Sequence, residues 1–263
     1  MKESVSLQSR AFYKIIWLFV LIFIVIALAS ILAIRDETRH DAKRNLQVRT
    51  QVVEQVFNDY LTRAEYEMGY ISQDLVLGDY QPGNELEMLF SHHEVLFFGG
   101  LDFFYIDWSH RSSATDPRAR IYTQESLPEL LSIGQINRWV KVVTKDDAIL
   151  LMYKKKLVSK GRILQGYLYG FVSLNNNLAL SSELLDGANA DLVSLYDKHL
   201  GRVLLKESRV DFDASDSVVS ISSDLVTHVY GSQLLLNITK RMPISDSMVS
   251  AWIRVLLFSP KFR

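Results

Sequence analysis

The chain has 263 residues, 48% of them hydrophobic and 22% charged, and its 29 Lys and Arg against 30 Asp and Glu leave a formal net charge of -1. That balance excludes a general nucleic-acid binder, which carries a strongly basic face. The absence of cysteine removes disulfide frameworks, thiolate metal sites and cysteine nucleophiles together.

From Ile15 to Ile34 every side chain except Ser30 is apolar. About 20 residues rising about 1.5 Å each cover about 30 Å, the thickness of the hydrocarbon core, so residues 15–34 are expected to form a transmembrane helix. Lys2, Arg10, Lys14 and Ala27-Leu28-Ala29 also fit a cleaved signal peptide, but the run outlasts the roughly 7 to 15 apolar residues of such a segment. The basic residues Arg35, Arg39, Lys43 and Arg44 beyond the run rival those before it. Orientation therefore follows from the large domain after the span, since long domains translocate largely regardless of charge. Residues 1–14 are expected in the cytoplasm and the main domain across the membrane.

Between Asp36 and Leu77, the residues Leu46, Val53, Phe57, Tyr60, Leu61, Ala64, Met68, Ile71 and Leu75 recur at helical spacing. No Pro or Gly interrupts the chain from Ile15 to Gly69, so the span is expected to continue as a stalk helix over residues 35–77. Its apolar stripe would pack on its own domain or on a second copy; the repeat is not a strict heptad. Gly78 to Asn84, with Pro82 and Gly83, mark a turn, and a short helix is expected over Glu85 to Ser91.

Strand signals follow. Leu96 to Trp108 is aromatic-rich and interrupted by Gly99-Gly100. Trp139 to Thr144 and Ala148 to Lys154, joined by Lys145-Asp146-Asp147, read as a hairpin. Leu164 to Leu174 reads as a third strand with Tyr167, Tyr169 and Phe171 on one face. Asn175, Asn176 and Asn177 precede the helical pattern Leu178, Leu180, Leu184 and Leu185, where an Asn makes a good N-cap. Strands are then expected at Leu192 to Tyr196, Arg202 to Leu205, Val218 to Ser222 and Val229 to Thr239, with a turn over Asp197 to Gly201. The fold class is α+β with antiparallel sheets.

Signs of catalysis or metal binding are weak. His92 and His93 are adjacent, so neither strand nor helix aims both at one ion. Asp146, Asp147, Asp213 and Asp216 read as turn residues. Gly166 and Gly170 mimic a GxxxG helix motif, but the aromatic alternation around them assigns a strand in which glycine permits close backbone approach. Asn237-Ile238-Thr239 matches a glycosylation sequon without meaning in a bacterial host. No catalytic residue, metal or cofactor is assigned. Trp108, Trp139, Tyr153, Lys154 and Lys155 are the candidate ligand or partner surface, because aromatic rings beside cations suit polar ligands; the competing reading of the aromatics is core.

One stretch resembles a known family. Gly166 to Leu174, followed by Asn175-Asn176-Asn177-Leu178-Ala179-Leu180, is similar to the signature of the LuxQ-type periplasmic sensor domains of Vibrio autoinducer 2 receptor kinases, a strand ending in Asn residues before a Phe/Leu-Ala-Leu helix. Asp107-Trp108, Pro117 to Tyr122, Asn137-Arg138-Trp139 and Leu192 to Leu195 support it, and the likeness runs from about Asn45 to Lys240. It departs where the chain passes from Thr123 directly into Glu125-Ser126-Leu127-Pro128, without the family's Trp-Asp-Gly-Asn-like stretch. Lys154-Lys155-Lys156 replaces a basic pair, so charge is kept but bidentate arginine geometry is not.

The resemblance implies tandem PAS-like (double Cache-like) periplasmic lobes, membrane-distal over residues 78–187 and membrane-proximal over residues 188–240. It further implies a sensor in the bacterial inner membrane, reading an autoinducer 2-like or other small molecule directly or through a soluble periplasmic binding protein. Homodimers, or heterodimers with a receptor kinase, are the other partners it implies, and nucleic acid is not one. In residues 241–263 the apolar run Met248 to Phe258 is too short to span a bilayer, so this segment is expected either to start a second, truncated membrane helix or to rest on the membrane surface as an amphipathic segment. A kinase or cyclic-di-GMP enzyme would then carry the output in a longer protein; the alternative is an output-less decoy or partner subunit of a full-length receptor.

Overall fold

The computed structural model describes residues 2–77, 100–109, 114–115, 131–144, 147–159, 161–175, 177–211, 218–227, 229–230 and 233–241, with side chains from residue 12 onward outside 114–115. The turn at 78–84, the helix expected at 85–91, His92, His93, Gly99, Pro117 to Pro128, Lys145, Asp146, Asn176, Asp213, Asp216 and the segment 242–263 lie outside the described residues. The chain divides into two compact units: Met1–Asn45, Ala214–Val219 and Arg241–Arg263 form one, and Leu46–Asp213 with Ser220–Lys240 form the other.

In the first unit the described chain is mainly the N-terminal portion of helix α1 (Lys2–Leu77). Its apolar window is long enough to cross a membrane and has none of its residues buried. The side chains of Trp17, Phe19 and Phe23 are each more than two-thirds exposed; hydrocarbon is the solvent that suits such a surface.

In the second unit α1 presents the stripe read from the sequence. Leu46, Val53, Phe57, Tyr60, Leu61, Ala64, Met68, Ile71 and Leu75 are all buried, none more than 3% exposed. The stripe thus packs into its own domain. Against it lies a sheet of β1 (Phe103–Trp108), β2 (Ala114–Thr115), β3 (Trp139–Val143), β4 (Ile149–Val158) and β5 (Leu164–Ser173), in the order β2-β1-β5-β4-β3. The β1–β2, β1–β5, β3–β4 and β4–β5 pairs are antiparallel.

The pleat gives this sheet two faces. Phe104, Ile106, Trp139, Tyr153 and Gly170 share the face toward α1, as their cross-strand registers require. A Cβ on Gly170 would lie 2.4 Å from Met68 Sδ, and one on Gly166 would lie 2.2 Å from the Asp107 carbonyl oxygen. Both glycines therefore serve close approach within a strand, as the alternation around them implies. The opposite face carries Phe103, Tyr105, Val140, Val142, Leu150, Met152, Tyr169 and Phe171 as one buried cluster, with Phe103 and Phe171 stacked at 4.7 Å.

Helix α2 (Leu178–Ala188) follows β5. The second sheet contains β6 (Leu192–Asp197), β7 (Arg202–Ser208), β8 (Val218–Leu225) and β9 (Leu234–Arg241), ordered β7-β6-β9-β8. One expectation needs correction: the last strand begins at Leu234, not Val229. Tyr230 is drawn off to β3, donating its N–H to the Trp139 carbonyl at 2.8 Å and accepting from the Lys141 N–H at 3.2 Å. Backbone groups spent on β3 are not available to the β9 ladder.

Candidate functional site

The five candidate surface residues do not form one patch. Trp108, Trp139 and Tyr153 are buried and, with Lys155, project to the α1 face, because Lys155 pairs with Leu168 while Tyr153 pairs with Gly170. Lys154 projects to the other face, where its Nζ sits 4.4 Å from the Tyr167 ring centroid and 5.1 Å from that of Tyr169. This is a cation–π arrangement. Burial, then the nearby Asp107 charge, pushes the Tyr169 hydroxyl well above the ordinary tyrosine range, keeping it a neutral hydrogen-bonding group.

On the α1 face, Trp139 and Tyr153 are cross-strand partners with ring centroids 5.2 Å apart. The Trp139 indole donates to Glu65 Oε1 at 2.8 Å, and the Leu101 N–H donates to Glu67 Oε2 at 3.0 Å. Two carboxylates of one helix thus tie α1 to the first sheet at separate points. Charge on the acceptor makes such bonds stronger than neutral ones.

The Asn residues act on the backbone. Asn177 caps α2, its Oδ1 accepting from the Leu180 N–H at 2.9 Å while its Nδ2 donates to the Ser173 carbonyl at 3.0 Å and the Tyr60 hydroxyl at 3.4 Å. Burial pushes the Tyr60 hydroxyl up to about 12, the Asn177 bond opposing the rise. Asn175 Oδ1 accepts from the Ile149 N–H at 2.5 Å, linking the end of β5 to the start of β4. Leu180 is buried and Ala179 is exposed.

Two features escaped the sequence reading. Lys141 on β3 and Asp197 at the end of β6 form an ion pair at 2.7 Å, with side chains 9% and 0% exposed. Asp197 Oδ1 also accepts the His199 and Leu200 N–H groups at 2.8 and 3.1 Å. Burial pushes its carboxyl up, but the Lys141 hydrogen bond, the Leu200 N–H, the Lys141 charge and the His199 N–H together hold it below its ordinary value. The second feature is an open cleft of about 460 Å³ lined by Glu65, Asn137, Arg138, Trp139, Thr227 and Tyr230. Of these only Trp139 is a candidate site residue from the sequence, Asn137 and Arg138 having entered through the family resemblance alone; Glu65, a carboxylate one position after buried Ala64, was the available signal. Among the described residues no cluster of His, Asp and Glu could hold a metal ion.

Comparison with known proteins agrees with this architecture. The chain resembles the crystal structure of the Vibrio cholerae LuxQ periplasmic domain with a TM-score of 0.59 at 19% identity, over 73% of this chain and 98% of that one. A selenomethionine structure of the same domain gives 0.50 at 19% identity, over 78% and 97%. No curated protein matches the sequence. The family model for the LuxQ periplasmic domain matches residues 35–235, most of the chain and every strand of the two sheets except the greater part of β9. The chain belongs to the LuxQ periplasmic family, and its folded portion is a periplasmic sensory domain of a receptor.

Proposed function

We propose that this chain is the signal-receiving part of an inner-membrane receptor, held by residues 15–34 with residues 1–14 in the cytoplasm, and that it reads a small molecule of the autoinducer 2 type through a soluble periplasmic binding protein. Reception, not catalysis, is its role. In this reading residues 78–187 are the membrane-distal lobe and residues 188–240 the membrane-proximal lobe. The observation that carries the reading is α1: one helix, Lys2–Leu77, contains both the apolar window and the stripe buried in the sensory domain. A partner that favours one arrangement of the sheets over another biases the helix clamped through Glu65 and Glu67 by as much as its affinities for the two differ.

The test uses the full chain in lipid nanodiscs, titrated with a purified periplasmic sugar-binding-type protein with and without autoinducer 2. Saturable binding whose affinity depends on autoinducer 2 is expected. No saturable binding under either condition would overturn the reading, and binding of autoinducer 2 to the chain alone would replace it with direct sensing.

A further inference from the structure

We infer that the tip of the β4–β5 hairpin, presenting Lys156, Val158, Arg162, Ile163 and Leu164, is the docking surface for an acidic face of the soluble periplasmic protein that delivers the signal. The inference rests on the binding-protein reading and adds to it the place and the chemistry of the contact.

Charge comes first. Every charged residue between Asp147 and Glu183 is a cation, namely Lys154, Lys155, Lys156, Lys160 and Arg162, in a chain whose formal net charge is -1. Lys154 is turned to the Tyr167 and Tyr169 rings. Lys156 and Arg162 are exposed and, among the described residues, form no ion pair. Charge of one sign left open on a surface attracts the opposite sign and steers its approach.

Shape then selects a protein as the occupant. Val158, Ile163 and Leu164 flank the turn and are 39%, 67% and 37% exposed, so apolar side chains stand among the cations, the mixture that protein contacts use. A free inorganic anion gains nothing from exposed aliphatic groups, and single-stranded nucleic acid calls for aromatic rings on which bases stack. The knob is also preformed. The Ser159 N–H donates to the Ile163 carbonyl at 3.0 Å and the Arg162 N–H to the Ser159 carbonyl at 2.9 Å, which lowers the ordering cost of docking.

Arg162 itself points the same way. Its φ is 58°, in the left-handed region that glycine occupies without the penalty of a Cβ. Folding of the turn alone favours glycine there, so what arginine adds is its charged side chain.

Position makes the tip reachable from solution. Along β5 toward the hairpin, Asn177 just past its end meets Tyr60, Gly170 meets Met68, and Leu168, through its partner Lys155, lies beside Gly69. The hairpin therefore runs toward the Leu77 end of α1, the opposite end of that helix from its apolar window.

The experiment titrates the full chain, in nanodiscs of zwitterionic lipid, with the purified sugar-binding-type protein and autoinducer 2. R162G and I163D are each expected to weaken binding roughly tenfold, as loss of a central contact does, R162G without lowering the thermal midpoint. K206Q, which removes a charge from an exposed position on β7, should leave affinity unchanged, and added salt should weaken wild-type binding more than that of R162G. Saturable wild-type binding untouched by both tip variants, or weakened as much by K206Q, would overturn the inference and leave the binding-protein reading standing. Absence of wild-type binding would overturn both. Vesicles containing phosphatidylglycerol are titrated in parallel: binding to them that is lost in R162G would assign the tip to an anionic lipid surface and overturn the protein contact.

Discussion

The side chains that decide most here are polar groups inside an apolar frame. Asn177 spends its amide on a helix N-terminus, a strand carbonyl and a tyrosine hydroxyl. Asn177→Ala therefore should cost about 1 kcal/mol for the lost cap, and more for the unsatisfied groups left behind, read as a lower midpoint in urea unfolding. Lys141→Met should cost about 3 to 5 kcal/mol at neutral pH, because it strands the Asp197 carboxylate in the interior. The sign with pH follows from the lowered folded-state pKa of Asp197. The pair contributes stability above the ordinary carboxylate range, and that contribution is lost as pH falls through the folded-state value. Unfolding curves of the two proteins should thus converge in acid; a gap that stays constant with pH would rule the ion pair out as its cause.

Among the elements, α1 was the most legible from sequence and β9 the least. Each of the nine apolar stripe positions is buried, because a helix that packs on one side writes its period directly into the chain. Strands β3, β4 and β5 were legible from alternation and turn residues, and Asp147 sits at φ 63° in the turn between β3 and β4. The start of β9 was not legible, since Val229 and Tyr230 have strand character in their own right and only the three-dimensional proximity of Trp139 diverts them. Packing of α1 on β5 leaves no room at Gly170. Gly170→Ala should cost about 1 to 3 kcal/mol by overpacking, and Met68→Ala in the same chain should return part of it, because the clash is with Met68 Sδ. A double-mutant cycle reads this coupling; additive losses would mean that the two residues do not meet.

For the molecule as a whole, α+β architecture and sensory family were readable, while the candidate site was readable only in fragments. Local patterns carried the first. The Glu65–Trp139 and Lys141–Asp197 pairs join residues far apart in sequence, and no local pattern reports such pairings. Trp139 and Tyr153 meet across strands while Lys154 does not join them: adjacent strand residues point to opposite faces, and the register with β5 shows which of them faces α1.

The reading of the chain as a membrane-held receiver of a periplasmic signal requires that the folded domain lie outside the cytoplasm and stay attached to the membrane. The most direct measurement is protease treatment of intact spheroplasts from a Gram-negative host making the full chain with an N-terminal epitope tag. Residues after the span should be digested while a tagged fragment ending near Ile34 survives in the membrane fraction. A chain protected from protease until the spheroplasts are lysed, or one released into the soluble periplasm without its tag, would contradict the anchored periplasmic sensor.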